Sequence, residues 1–274
     1  MFIFMTLLGL FSVFCFLYPS VSNLINDLLN RSTINNYNSN LDSASQEDIN
    51  RKLVEAENYN KVLATDFFQY NEQSYNETLK NYYNILNVND GIMGYIEIPS
   101  VNIRLPIYHG ESEEVLKKGA AHLEQTSFPV SGTDTHACIS AHSGFPTQKF
   151  FDDIDELVNQ DIIYVKILKT TYVYRVFGKD VIEPDDISKL KIIKGENILT
   201  LITCYPYGIN SQRLLVHARY IGTETTNQAT ADEIEIHSSS KINAAMPIAG
   251  AVVAFTLLLT AAWVSTRNKR KMMK

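Results

Sequence analysis

The most apolar stretches of the chain lie at its two ends. Residues 247–266 carry no charged side chain and have the length of a bilayer-spanning helix, about 20 residues. Five basic residues follow within residues 267–274, so the positive-inside rule predicts a cytoplasmic tail. Residues 1–20 are also apolar, and no Lys or Arg precedes Arg31. We interpret this N-terminal segment as a transmembrane anchor with its N-terminus inside the cell, and a cleaved signal peptide is the alternative.

Between the two ends the pattern changes twice. Residues 21–90 are polar and asparagine-rich, and loose helical periodicity predicts a helical spacer there. Short apolar or alternating runs fill residues 91–222, and a polar linker follows at residues 223–246. The predicted spans place the protein in the cell membrane, with residues 91–222 outside the cell and both termini in the cytoplasm.

Residues 91–222 have the pattern of a mainly all-β domain. Two pairs of neighbouring runs read as antiparallel strands: "DIIYVKIL" with "TYVYRVF", and "NILTLITC" with "RLLVHARYIG". Short helices are expected at residues 112–119 and 148–158. Many short strands with few helices predict an all-β barrel or sandwich.

Charge limits the partners of the part outside the cell. Five of the 24 basic residues lie in the C-terminal tail, which leaves 19 against 30 acidic residues and a net charge near −11. So acidic a surface argues against nucleic acid or anionic lipid as a partner.

Candidate chemistry centres on Cys204 and Arg213. In the last predicted pair, Cys204 ends one strand, "YPYGINSQ" supplies turn residues, and Arg213 begins the partner strand. Neighbouring strands lie about 4.8 Å apart, so the two side chains can share one end of a groove. A guanidinium stabilises a thiolate and donates hydrogen bonds to an oxyanion, as attack of sulfur on a carbonyl requires. A buried structural cysteine beside a solvated arginine is the alternative.

A thiol nucleophile also needs a proton-transfer partner, and histidine is the usual one near neutral pH. The domain contains five histidines: His109, His122, His136, His142 and His217. His142 is the best placed, because it ends an apolar run and precedes the loop-forming "SGFP". His136 begins the same run, and spacing alone leaves the choice among the histidines open.

The quoted motifs resemble those of the sortases, the cysteine transpeptidases of Gram-positive cell surfaces. "TLITCYPYGINSQRLLVHAR" is similar to the family's TLxTC…R signature, and "PYGIN" between Cys and Arg is typical of class C, the pilin-polymerising group. Upstream, "YIEIP", "LPIYHG", "GAAHLEQTSFP" and "AHSGFP" match in order, so the resemblance covers roughly residues 91–220.

This resemblance implies a closed eight-stranded β-barrel and a catalytic triad of His142, Cys204 and Arg213. Cys204 would attack the Thr–Gly carbonyl of an LPxTG-like sorting signal on a pilin or surface protein. Arg213 would stabilise the oxyanion, and His142 would protonate the leaving amine and deprotonate the incoming one. In class C the incoming amine is a lysine of the next pilin. The resemblance implies no metal or organic cofactor, and Cys138 is expected in the core without a disulfide to Cys204.

The resemblance also implies a lid over the site, carried by an Asp-Pro-aromatic motif. The nearest candidate here is "TDFF", with Asp66 and Phe68 in matching places and Phe67 where proline is usual. Without the proline, which would fix φ, a looser lid is expected. An ordinary connector between two helices is the alternative. A second departure is Ser143, which follows His142 where the family often has Arg.

Two other functions compete with the pilin-polymerising one. A housekeeping sortase would pass surface proteins to the cell-wall precursor, but the C-terminal span and "PYGIN" favour the pilin role. An inactive sortase-like receptor would bind pilins without joining them, and such a module has no need of all three triad residues.

Overall fold

The computed structural model describes residues 2–68 and 80–224. The chain divides into two compact units, one of residues 26–227 and one of residues 1–25 together with residues 228–274. The described part of the smaller unit is helical. The larger unit is a β-barrel with helices packed against it, and it contains all the residues discussed below as a candidate site.

Eight strands close into the barrel. They are β1 (Ile92–Ile98), β2 (Ile103–His109), β3 (Ala120–His122), β4 (Thr135–Ser140), β5 (Ile162–Ile167), β6 (Thr170–Ile182), β7 (Asn197–Tyr205) and β8 (Gln212–Glu224). Their order around the barrel is β1-β2-β3-β4-β7-β8-β6-β5. The pairs β2–β3 and β4–β7 are parallel, and the other six pairs are antiparallel. The prediction of a closed eight-stranded barrel is confirmed.

Alternation along the strands explains why one side of the sheet forms the core. In β5 every second residue is buried, and Ile163, Val165 and Ile167 point into the barrel, as period-2 patterning requires. On β7, Leu199 and Leu201 belong to this interior cluster. The intervening residues of β7 therefore lie on the outer face of the barrel, and Cys204 is one of them.

In the described part of the chain, three helices with defined bounds accompany the strands: α1 (Phe2–Ser43), α2 (Gln46–Phe68) and α3 (Glu113–Leu116). α1 buries Ile34, Tyr37 and Leu41, which lie on one face at helical spacing. The Tyr37 hydroxyl donates to the Met93 carbonyl at 2.9 Å and accepts from the Leu168 N–H at 2.8 Å. α1 is thereby joined to β1 and to the β5–β6 turn.

α2 is held by a buried asparagine. Asn60 is 3% exposed, and its side-chain amide pairs with the backbone of Phe128, donating to the carbonyl at 2.9 Å and accepting from the N–H at 2.8 Å. Tyr59 packs its ring against the Phe128 ring, with centroids 4.7 Å apart. α2 therefore satisfies backbone groups of the β3–β4 connection that no strand pairs.

The helix predictions need correction. Residues 148–158 do not form a helix and contain only a 3₁₀ turn, Ile154–Glu156, because a side chain of this segment bonds its own backbone, as described below. The helix predicted at residues 112–119 is the shorter α3. α1 continues past residue 20 to Ser43, so no break in secondary structure separates the predicted anchor from the spacer.

No helix within residues 2–68 or 80–224 contains a stretch long and apolar enough to cross a membrane. Helix length and hydropathy therefore do not support the transmembrane anchor predicted at residues 1–20. The predicted span at residues 247–266, the tail at 267–274 and all but the start of the linker lie outside the described residues.

Replacing Tyr37 by phenylalanine is expected to lower the free energy of unfolding by about 1–3 kcal/mol, because the Met93 carbonyl and the Leu168 N–H lose a buried partner. In thermal unfolding followed by circular dichroism this corresponds to a fall in Tm of roughly 2–10 °C. Tyr207→Phe is the matched control, since Tyr207 is 66% exposed. Equal Tm values for the two variants would contradict the role assigned to the Tyr37 hydroxyl.

Candidate active site

Cys204 and Arg213 face each other across the β7–β8 hairpin. They are directly opposed in the antiparallel register, and both are half-buried. The connecting loop folds back through bonds from the N–H groups of Ile209 and Asn210 to the Pro206 carbonyl, at 3.0 and 2.9 Å. The pairing predicted from the sequence is therefore confirmed, and the Cys204 thiol is free.

His142 reaches the same end of the barrel by a different route. The parallel register of β4 with β7 ends at Ser140 opposite Ile202, and the Ala141 N–H continues it by donating to the Ile202 carbonyl at 3.1 Å. The Thr203 hydroxyl donates to the Ala141 carbonyl at 2.8 Å. The structure thus sets Cys204 opposite Arg213, and the residue before His142 is bonded to the two residues that precede Cys204. The triad of His142, Cys204 and Arg213 stays a prediction.

Two aromatic rings orient the His142 imidazole. Phe145 stacks on it with centroids 5.1 Å apart and an interplanar angle of 12°, and Phe150 meets it at 6.2 Å and 61°. Burial lowers the pKa of His142, the nearby carboxylates of Glu113 and Asp152 raise it, and the Lys117 ammonium lowers it. Desolvation is the largest of these effects, so the neutral imidazole is favoured.

Arg213 keeps its charge available to an anion. Its Nη1 donates to the backbone carbonyls of Gln212 at 2.9 Å and Asn210 at 3.3 Å. Within residues 2–68 and 80–224 it forms no ion pair with a carboxylate. Carbonyl bonds fix the direction of the guanidinium without neutralising it, and the remaining N–H groups can serve an oxyanion.

Two of the other histidines, His122 and His109, are buried structural residues. His122 is fully buried, with Nδ1 2.9 Å from the Tyr82 hydroxyl and Nε2 2.8 Å from the Ser127 carbonyl. Burial lowers its pKa to about 3. The two ring nitrogens of His109 lie 2.9 and 2.6 Å from backbone carbonyls. Neither histidine faces Cys204.

His136 and His217 belong to a second buried array, on the outer face of the barrel. The Thr200 hydroxyl lies 2.7 Å from His136 Nε2 and 2.8 Å from His217 Nδ1. His136 Nδ1 also reaches the Lys191 carbonyl at 2.9 Å, which ties the β6–β7 connection to β4. Burial lowers the pKa of both histidines. Sequence spacing did not decide whether His136 is the catalytic histidine. Its burial and its two hydrogen bonds show that it is a structural residue.

Cys138 lies in the core and pairs in register with Thr200, four residues before Cys204 on β7. This offset corresponds to roughly 13 Å along the strand, too far for a disulfide to Cys204. Burial raises the pKa of the Cys138 thiol, which keeps it protonated and unreactive.

Asp66 and Phe68 fall in the last turn of α2, which ends at Phe68. Their side chains lie outside the described part of the chain, so the predicted lid stays a prediction. Residues 65–68 are helical and do not form a connector between helices. Among the described residues, no cluster of three His, Cys, Asp or Glu side chains could hold a metal ion.

Four residues that shape the site were missed from the sequence. Phe145 and Phe150 contact the imidazole, Asp152 binds the loop between them, and Thr203 joins β7 to the residue before His142. The loop-forming "SGFP" pointed to this region, but nothing in the pattern showed which ring or carboxylate turns towards His142.

The family model and the curated relatives that match this chain are all sortases. The model of the family described as "Sortase domain" matches residues 96–221. The chain is 32% identical to sortase A of Bacillus anthracis over 135 residues, which are 48% of this chain and 61% of that protein. It thus spans about three fifths of the curated relatives that it matches first.

Solved structures match over more of the chain. Sortase C1 from Streptococcus agalactiae is similar with a TM-score of 0.65 and 36% identity, covering 70% of this chain and 100% of that one. Sortase C from Clostridium perfringens, solved with its C-terminal cell wall sorting motif, is similar with a TM-score of 0.61 and 42% identity, covering 70% of this chain and 98% of that one.

Acidification is expected to destabilise the fold through its buried histidines. Since the pKa of folded His122 is about 3 and that of an unfolded histidine is near 6.5, only the unfolded chain binds a proton between these values. Stability is therefore retained above pH 6.5 and lost as the pH falls towards 3. Between about pH 7.5 and about pH 5 the His122 contribution is about 2 kcal/mol, measurable by urea unfolding. His122→Gln should lose correspondingly less stability on acidification, and a wild-type protein equally stable at both pH values would refute the prediction.

Proposed function

The chain belongs to the sortase family, and on that basis we propose that it is a cysteine transpeptidase acting on LPxTG-like sorting signals. The observation that carries the proposal is the register that sets the Cys204 thiol opposite the Arg213 guanidinium, while the backbone that leads to the His142 imidazole is bonded to the same strand. These are the groups that acyl transfer through a thioester requires.

In the first half-reaction the Cys204 thiolate attacks the carbonyl carbon between Thr and Gly of the sorting signal. Arg213 donates hydrogen bonds to the oxyanion of the tetrahedral intermediate. Protonated His142 gives its proton to the leaving glycine amine as the C–N bond breaks, and the acyl group remains on sulfur as a thioester.

In the second half-reaction neutral His142 takes a proton from the incoming amine, which attacks the thioester carbonyl. The C–S bond breaks, the Cys204 thiolate is restored, and an amide bond has formed. Because His142 acts as acid and then as base, its pKa must lie near the working pH. Burial lowers the pKa of His142, and the carboxylates of Glu113 and Asp152 oppose that shift.

We propose that the incoming amine is a pilin lysine, so that the product is a polymer of pilin subunits. The similarity to two class C sortases supports this role, as does the "PYGIN" loop between Cys204 and Arg213. Transfer to the cell-wall precursor is the competing function. An inactive pilin-binding receptor is disfavoured because a binding module has no need of all three residues, His142, Cys204 and Arg213.

Intact-mass spectrometry of the full chain in detergent, incubated with LPxTG-type peptides, tests the chemistry. We expect an adduct equal to the acyl portion of the peptide on the wild type and none on Cys204→Ala. Cys138→Ala is the matched control, since it removes a buried thiol and should still form the adduct. Arg213→Gln should slow adduct formation by roughly 10²-fold, the usual cost of losing an oxyanion donor.

Further arms of the same experiment separate the alternatives. Release of the acyl group by a lysine-bearing pilin peptide, and not by a cell-wall amine, supports polymerisation, and the reverse supports the housekeeping role. A higher adduct yield on Asp66→Ala supports "TDFF" as a lid. Absence of an adduct on both the wild type and Asp66→Ala, across a panel of sorting peptides, favours the receptor.

We also propose that the chain is held in the cell membrane with the barrel outside and both termini in the cytoplasm. The charge-free segments and the basic tail support this, and so do large apolar side chains that α1 leaves 45–68% exposed before its buried face begins: Phe4, Leu8, Phe11, Phe14, Phe16, Tyr18, Val21, Leu24, Ile25, Leu28 and Leu29. Such a surface needs an apolar environment.

Epitope tags test this topology in intact protoplasts. A tag inserted in the linker at residues 223–246 is expected to bind antibody without permeabilisation, and a tag after residue 274 only once the membrane is opened. Equal access to both tags would refute the topology. Extraction of the untagged chain by alkaline carbonate would show that it is not embedded.

A further inference from the structure

The loop that follows His142 is closed by one carboxylate. Asp152 Oδ1 accepts from the Gly144 N–H at 3.0 Å, and Oδ2 accepts from the Phe150 N–H at 2.8 Å. The Phe151 N–H donates to the His142 carbonyl at 2.9 Å and completes the closure. Both oxygens of one side chain thus hold the two ends of an irregular segment, and bonds to a carboxylate are stronger than bonds between neutral groups.

The two backbone bonds to Asp152 fix the positions of the two aromatic rings that contact the His142 imidazole. Phe150 is one of the residues whose N–H binds Asp152, and Phe145 follows directly after the other. These are the two rings in contact with His142, at centroid distances of 6.2 and 5.1 Å. A shift of the loop ends would move both rings and change the direction of the imidazole towards Cys204.

Asp152 also contributes charge. The charged groups that act on His142 are the Glu113 carboxylate of α3, the Lys117 ammonium directly after α3 and the Asp152 carboxylate on its own loop. Asp152 is the one carboxylate among these that also bonds the backbone of the His142 loop. A single side chain therefore couples the geometry of the imidazole to its electrostatic surroundings.

We propose that Asp152 is a positioning residue for His142, which fixes the loop and its two rings so that the imidazole exchanges protons with the groups reacting at Cys204. This assignment rests on the proposed transpeptidase function. Asp152 does not contact substrate in it. Its effect is transmitted through the Gly144 and Phe150 backbone bonds and through its negative charge.

Asp152→Asn and Asp153→Asn form a matched pair for the test. Both remove one negative charge from adjacent positions, but the Asp153 carboxylate pairs with Lys149 at 3.2 Å and, within the described residues, forms no hydrogen bond to the loop backbone. An asparagine at position 152 offers one carbonyl oxygen in place of two carboxylate oxygens, so one of the two N–H groups loses its acceptor.

Two readouts are taken on the full chain in detergent: steady-state acyl transfer from an LPxTG-type peptide, and NMR titration of [¹³Cε1]-histidine, with the His142 signal assigned by its loss in His142→Gln. For Asp152→Asn we expect kcat to fall about tenfold, KM to stay within about twofold, and the His142 midpoint to move to lower pH. Asp153→Asn should match the wild type in all three.

Asp152→Glu separates geometry from charge. It keeps the negative charge but displaces the oxygens by one methylene, so kcat should fall while the His142 midpoint stays near that of the wild type. Asp152→Glu is also the fallback variant if Asp152→Asn does not fold. If neither variant folds, the role of Asp152 is structural only, and its assignment as a positioning residue is overturned.

The outcomes decide the two proposals separately. The same kcat and the same His142 midpoint for Asp152→Asn and Asp153→Asn would overturn the assignment of Asp152. A fall in kcat with an unmoved midpoint and a lowered Tm would also overturn it, as loss of stability alone. A wild type that transfers no acyl group refutes the transpeptidase function, whereas the histidine titration still tests the link between Asp152 and His142.

Discussion

Parallel pairing of β4 with β7 places the carboxyl ends of two strands, about 60 residues apart in sequence, at the same edge of the barrel. β7 then turns through a short loop into β8, so the first residues of β8 meet that edge as well. These pairings set Cys204 opposite Arg213 and bring the backbone that leads to His142 to the same edge. The bond from Thr203 to the Ala141 carbonyl continues the pairing beyond the last ladder residues, where a free strand end would otherwise fray.

The side chains at this edge divide by the face of the sheet. Leu199 and Leu201 fill the barrel interior, whereas Thr200 and Cys204 lie outside it. A one-residue slip of β7 would turn the Cys204 side chain into the barrel interior. The interior packing that fixes the register therefore keeps the thiol on the outer face. On that face Cys138 is buried in a cluster with Ile182, Ile202 and Leu215, whereas Cys204 is only half-buried.

Opposing electrostatic effects converge on His142. Partial burial and the Lys117 ammonium favour the neutral form, and the carboxylates of Glu113 and Asp152 favour the imidazolium. Arg213 experiences no such balance, because its hydrogen bonds run to backbone carbonyls and its charge persists. The proposed acyl transfer uses both kinds of group, an imidazole that changes its protonation state and a guanidinium that stays charged.

Local pattern determined much of this protein. Alternation and turn residues predicted the strands of the barrel and the facing of Cys204 and Arg213, because a hairpin is a short-range structure whose register follows from its own sequence. The family motifs supplied the eight-stranded closure and His142, which spacing alone did not separate from the other histidines. Only the tertiary structure decided that His136 bonds Thr200 in a buried array and that residues 148–158 are a loop closed by Asp152. It also decided that two phenylalanine rings pack against the imidazole of His142. Those outcomes depend on contacts between segments distant along the chain, where burial and the need to satisfy every polar group outweigh local propensity.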